Sequence, residues 1–186
     1  MSFPTRDEAF SILTEYTHGE SLLKHALAVE GAMRFYAARF GEDVEAWGVA
    51  GLLHDFDYER FPSLDDHPFK GAEILRARGC DEELIQTILS HANHTGVPRT
   101  TPMRRTLFAV DELCGFVTAV ALVRPSKQLG DVEPPSIKKK LKDKAFARNV
   151  SREDIRQGAE LIGVSDDEHI GNVLKAMKAI AADLGL

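Results

Sequence analysis

The strongest constraint on this chain is where its histidines fall. Five of the seven lie between His25 and His94, His54 is followed directly by Asp55, and Asp111 comes after them. Imidazole and carboxylate groups are ligands for divalent transition metals. His25 sits among Leu22, Ala26 and Val29. Asp111 lies between Val110 and Leu113. A carboxylate on an apolar helix face is costly to bury unless it is paired or ligated. Taken singly, each group has an ordinary explanation as a hydrogen-bonded core residue. Taken together, His25, His54, Asp55, His67, His91 and Asp111 are explained by one thing, a metal site. That site requires helices distant in sequence to converge on one point.

Those helices are visible as periodicity. Apolar residues recur at helical spacing over about 5–17, 20–40, 44–54, 67–79, 81–91, 102–123, 136–147, 151–162 and 166–184, which predicts an all-α chain of about nine helices. Gly41 is placed as a C-cap and Asp81 as an N-cap. Ser151 opens a capping-box pattern in which Asp154 stands where Glu or Gln is usual. No run alternates as a strand.

The remaining features bound the class. A length of 186 residues suggests one domain. Cys80 and Cys114 form no CxxC pair, and no basic, then apolar, leader opens the sequence, so a cytoplasmic protein is expected. The most apolar stretch, 107–123, is broken by Asp111 and Glu112, which excludes a membrane span. The net charge is −6. Between Ala121 and Arg152, nine basic residues against three acidic ones leave that segment at +6 and the rest of the chain at −12. A basic segment on an acidic body can mark an anion site.

The order His25, His54-Asp55, Asp111, with LLHD at 52–55, HPFKGAEIL at 67–75, ILSHANHTG at 88–96 and AVDEL at 109–113, resembles the HD-domain superfamily of metal-dependent phosphohydrolases. The resemblance covers about 21–123. It departs from the common wording in having Phe56 and Asp57 after His54-Asp55, and the chain lacks the Gly-Tyr-Pro element of cyclic-di-GMP phosphodiesterases. It implies a single-domain helical bundle with the metal core at about 21–123 and a C-terminal helical cover at about 136–186. It further implies one metal held by His25, His54, Asp55 and Asp111. A second is held by His67 and His91, with Asp55 bridging and a water or hydroxide between the ions. Mixed nitrogen and oxygen ligands suit Fe, Mn, Co, Ni or Zn better than Mg, and the resemblance favours Fe or Mn.

The expected reaction is hydrolysis of a phosphoester on a nucleotide-like small molecule. Asp55 is its central carboxylate, and Lys70 and His94 are groups that could contact the phosphate or protonate the leaving oxygen. Arg124 and Lys127 are expected at the cavity mouth as phosphate contacts. Lys138, Lys139 and Lys140 are read as a solvated helix face. The absence of aromatic interleaving argues against a nucleic-acid polymer, and no membrane partner is expected. Two other readings share the ligand set: an HD-fold diiron oxygenase, and a non-enzymatic metal-containing ligand-binding module.

Overall fold

A computed structural model describes residues 2–186. It contains ten α-helices among the described residues: α1 (Arg6–Tyr16), α2 (Glu20–Phe40), α3 (Val44–Leu53), α4 (Phe69–Ala77), α5 (Glu82–His91), α6 (Pro102–Leu122), α7 (Pro134–Leu141), α8 (Arg152–Leu161), α9 (Asp166–Ala179) and α10 (Ala181–Leu184). No strand forms among them. The only pairing of extended backbone is an isolated bridge between Ser2 and Cys80. No helix among the described residues is long and apolar enough to cross a membrane.

Local chemistry explains most helix ends. Thr5 and Glu8 form a reciprocal capping box on α1. Asp43, Asp81, Thr101, Ser151 and Ser165 each accept a backbone N–H in the first turn of the helix that follows. Gly41 closes α2 in the left-handed region at φ 73°.

Two ends differ from expectation. α7 stops at Leu141 rather than near Ala147. The Arg152 guanidinium supplies the reason, because it donates to the carbonyls of Asp143, Phe146, Ala147 and Val150. Acceptors that a longer helix would satisfy are satisfied from outside. The last helix breaks at Ile180 into α9 and α10. The Ile180 side chain lies over Gly31 of α2, where an added Cβ would come within 2.7 Å of Ile180 Cδ1.

The two 21-residue helices, α2 and α6, form the centre. α3 packs along α2, and α5, α8 and α9 pack against α6. Glycines set two of these approaches. A Cβ on Gly51 of α3 would meet the Val29 carbonyl of α2 at 2.9 Å, and one on Gly158 of α8 would meet Ala109 Cα of α6 at 2.5 Å. Both neighbours are backbone, which cannot swing aside. Fully buried Leu52, Leu53, Met33, Leu107, Val110 and Phe116 fill the space between.

Two buried polar groups tie the bundle across its layers. Glu30 of α2 is 4 % exposed and accepts from Arg6 at 2.6 and 3.0 Å and from Arg34 at 2.9 Å. His169 of α9 is fully buried. Its Nε2–H donates to the Ala109 carbonyl at 2.8 Å, so the neutral ring accepts at Nδ1 from the Tyr36 hydroxyl at 2.7 Å. Burial pushes this imidazole below its ordinary value of 6.5.

Two outcomes follow from this packing. Gly51→Ala and Gly158→Ala should each destabilise the protein by about 1–3 kcal/mol through overpacking. Gly171→Ala, which meets nothing within 4 Å, should be neutral or slightly stabilising; urea unfolding compares the three. The stability carried by neutral His169 is present in full above about pH 6.5 and is lost as the pH falls below it, because the unfolded chain takes up the proton first. A His169→Gln variant should lack that increment of acid sensitivity when unfolding is followed from pH 8 to pH 5.

Candidate metal centre

Six side chains from separate parts of the sequence meet where the start of α2 faces the middle of α6. His25 projects from the second turn of α2, and Asp111 from the middle of α6. His54 caps α3, and His91 is the last residue of α5. Asp55 follows His54 into a turn, and His67 precedes α4. The turn is anchored at its back: the Thr17 hydroxyl donates to the Phe56 carbonyl at 2.8 Å, and Phe56 is fully buried against Tyr16.

Asp55 stands in the middle, with its two oxygens facing different partners. Oδ2 lies 3.5 Å from His54 Nε2. Oδ1 lies 3.3 Å from His67 Nε2 and 3.2 Å from His91 Nε2. On the first side, His54 Nε2 is 3.2 Å from His25 Nε2 and 3.4 Å from Asp111 Oδ1. His25 Nε2 is 3.0 Å from the same oxygen. The ligand atoms thus form two groups that share Asp55: His25, His54 and Asp55, and Asp55, His67 and His91.

The hydrogen bonds behind the ligands decide which nitrogen is available. His54 Nδ1–H donates to the Gly51 carbonyl at 2.7 Å, and His91 Nδ1–H donates to the Ile88 carbonyl at 2.6 Å. His67 Nδ1–H donates to Asp57 Oδ1 at 2.8 Å. A carbonyl can only accept, so these bonds fix the hydrogen on Nδ1 and turn Nε2 inward as a lone-pair donor. Lone pairs of buried nitrogens and carboxylate oxygens then point at one another. Only cations, whether protons or metal ions, can hold them there. The donor set and its backing therefore fit divalent transition metals.

The electrostatics agree. Burial opposes ionisation of Asp55 and Asp111, but the surrounding imidazoles outweigh it and hold both carboxyls well below the usual carboxylate range. Burial also opposes charge on His54 and His67. Asp55 and Asp111 raise His54 well above its ordinary value, and Asp55 with Asp57 pushes His67 up to about 9.

The centre opens into a cavity of about 430 Å3. Its walls include Tyr58, Leu64, Asn93, Phe108, Glu112 and Asp154. His94 also lines it, but its Nε2–H donates to the His67 carbonyl at 2.9 Å and its ring packs edge-on against Phe69. Lys70 does not line this cavity, and its ammonium pairs with Glu73 at 3.0 Å. Arg124 lines a different cavity with Ser136, Lys139 and Lys140, and donates to the Ser136 hydroxyl. Lys127 is exposed in the turn after α6. The structure thus brings the six expected ligands and His94 together and leaves Lys70, Arg124 and Lys127 outside the cavity wall.

Three acidic residues escaped sequence reasoning. Asp57 is fully buried and accepts from Gly71 N as well as from His67, both at 2.8 Å. Its signal was a second Asp two residues after Asp55. Glu112 accepts from Ser151 N at 3.1 Å. Burial and then the neighbouring Asp111 charge push its carboxyl up to about 7. Asp154 explains the departure from the usual capping box. Its carboxylate meets Asn93 Nδ2 at 3.3 Å across the cavity, and Glu112 takes the Ser151 N–H that a capping Glu would have taken.

Comparison with known proteins bears on the same residues. The family model described as HD domain matches residues 22–115. Ribonuclease Y of Thermosipho melanesiensis is 29% identical over 163 residues, which is 85% of this chain and 30% of that protein. Ribonuclease Y of Fervidobacterium nodosum is 30% identical over 121 residues, 63% of this chain and 21% of the relative. Ribonuclease Y of Lawsonia intracellularis is 33% identical over 91 residues, 47% of this chain and 16% of the relative. The chain therefore spans less than a third of the length of these relatives. No solved structure matches it significantly. The matched stretch covers half of the chain and contains all six converging side chains, so the chain belongs to the HD domain family, a family of metal-dependent phosphohydrolases.

Proposed function

We propose that this protein is a two-metal phosphoester hydrolase, with Asp55 as the carboxylate shared between the ions. The observation that carries the reading is that Asp55 turns one oxygen toward His54 and the other toward His67 and His91. One ion would be held by His25, His54, Asp55 and Asp111, the other by His67, His91 and Asp55. Fe or Mn is favoured, with Zn, Co and Ni as further options. Bound metals would lower the pKa of a coordinated water and offset charge developing on the phosphoryl oxygens.

The chain's own residues would supply the rest. Asp57 holds His67 in one tautomer and orientation. Glu112 lies on the cavity wall, where its carboxyl is placed to exchange a proton with a leaving oxygen. His94, also on that wall, is a second proton-transfer group. Tyr58, Leu64 and Phe108 give an apolar lining for the organic part of the substrate. Asp154 at the start of α8 and Val150 before it complete the wall, which supports reading the chain as one unit in which the helices after 136 cover the core. The substrate class proposed from the sequence is a nucleotide-like phosphoester. The ribonuclease relatives add RNA as a polymeric form of the same linkage.

Purified protein should hold close to two transition-metal ions per chain by plasma mass spectrometry. His67→Ala should bring this to about one and lower phosphodiesterase turnover by orders of magnitude, since two-metal clamping would be lost. Asp57→Asn should keep the ligands yet weaken metal affinity by about 10–100-fold. Stoichiometric metal in Asp57→Asn at wild-type affinity would remove Asp57 from the proposal.

Metal uptake should also release protons. His67, charged below about pH 9 in the metal-free protein, must give up its Nε2 proton to ligate. Affinity should therefore fall as the pH drops from 9 toward 6, and calorimetry in buffers of different ionisation enthalpy should record proton release near neutral pH.

A further inference from the structure

The cations of this protein fall into two populations. On the body of the fold, most are neutralised by carboxylates. Arg6, Lys24, Arg34, Arg39, Lys70, Arg76, Arg78, Arg104, Arg156 and Lys178 each pair with an Asp or Glu. The segment from the end of α6 through the turns after α7 is different. Among the described residues, Lys127, Lys139, Lys142, Lys144 and Arg148 are exposed and pair with no carboxylate. Arg124 is half-buried and bonds only a hydroxyl, that of Ser136. Of the three lysines 138–140, Lys138 is paired to Asp167 at 2.8 Å, and Lys140 stands 3.9 Å from Asp143. A run of unpaired charge on a protein with a net charge of −6 is a local positive field.

Its shape adds to its sign. Arg124, Lys139 and Lys140 line a cavity of about 510 Å3 between the end of α6 and α7. The apolar residues of α7 are turned inward: Ile137 is fully buried and Leu141 packs on the core. The helix therefore has no free apolar face to insert into a lipid surface. Lys127 before α7 and Lys142, Lys144 and Arg148 after it extend the charge beyond the helix itself, which is about 12 Å long. A single anion would use one or two of these groups. An extended polyanion would engage several at once. The cavity at the end of α6 also lies about 12 Å along that helix, from Gly115 to Val123, from the wall of the metal cavity.

We infer that this surface binds the phosphate backbone of a polynucleotide. The inference deepens the phosphoester reading by naming a polymer as its substrate class, and it rests on that reading only for what happens after binding. It also revises two expectations drawn from the sequence, that Lys139 is a merely solvated position and that no nucleic-acid polymer is bound, on the ground that the cations here are left unpaired by their neighbours.

Binding can be read without turnover. Chelator-treated full-length protein is titrated into a fluorescein-labelled uridylate oligomer of about 16 nucleotides, and anisotropy is followed across salt concentrations. Binding should weaken as salt rises. The variant Lys139→Glu/Lys142→Glu/Arg148→Glu should lose about tenfold or more in affinity, and its log–log salt slope should be shallower by about 2. The control Lys24→Gln/Arg76→Gln, which alters paired cations, should match the wild type. No binding at low salt, or binding unchanged by the charge reversal, overturns the inference. Binding to phosphatidylserine–phosphatidylcholine vesicles but not to the oligomer also overturns it, in favour of a membrane surface. No oligomer binding by the wild-type protein, with turnover of a small phosphodiester, would sink the polymer surface alone. Intact oligomer binding with no hydrolysis under any metal would sink the hydrolase reading alone.

Discussion

The architecture of the site depends on one carboxylate with two faces. Asp55 sits in a turn between α3 and α4, and its oxygens look toward His54 beside it, His67 before α4 and His91 at the end of α5. A single side chain can occupy that position only if α2, α3, α5 and α6 end, or pass, within a few ångströms of one another. The glycine contact that draws α3 onto α2 serves that requirement. So does the anchoring of the turn by Thr17 and buried Phe56. In this sense the packing of the bundle and the geometry of the centre are one problem.

The ligands themselves are only half of the arrangement. Gly51, Ile88 and Asp57 each take an Nδ1–H and leave Nε2 facing inward. Two of these acceptors are carbonyls three residues upstream, available because His54 and His91 stand at helix C-termini where such carbonyls lack intrahelical partners. His67 precedes its helix and has no such carbonyl. Asp57 substitutes for it, held in turn by the backbone N–H of Gly71. Ending a helix at a ligand thus supplies the outer hydrogen bond, and beginning one there requires a carboxylate.

His169 shows the opposite outcome for the same residue type. It is as buried as His54, yet both of its nitrogens are satisfied by an ordinary hydroxyl and a carbonyl, and burial alone lowers its pKa. Burial does not separate a core histidine from a ligand. The unshared lone pair facing other acceptors does.

Much of this was legible in the sequence, and the reason is locality. Helix boundaries followed from caps within a few residues: Gly41, Asp81 and Ser151 stand where the structure uses them. The six converging residues were recognisable because their chemistry is improbable on apolar faces without a shared purpose. The early end of α7 was not legible, since it depends on the guanidinium of Arg152, eleven residues beyond Leu141. Nor were the roles of Asp57, Glu112 and Asp154, or the placement of Lys70, Arg124 and Lys127. Whether a charge is paired, buried or free is a property of neighbours brought together by folding, and no spacing along the chain records it. The sequence by itself determined most of the helices, the all-α class and the six residues that converge. Only the tertiary structure decided which oxygen of Asp55 faces which histidine, which nitrogen of each histidine is free, and which cations remain unneutralised, because each depends on contacts between segments tens of residues apart.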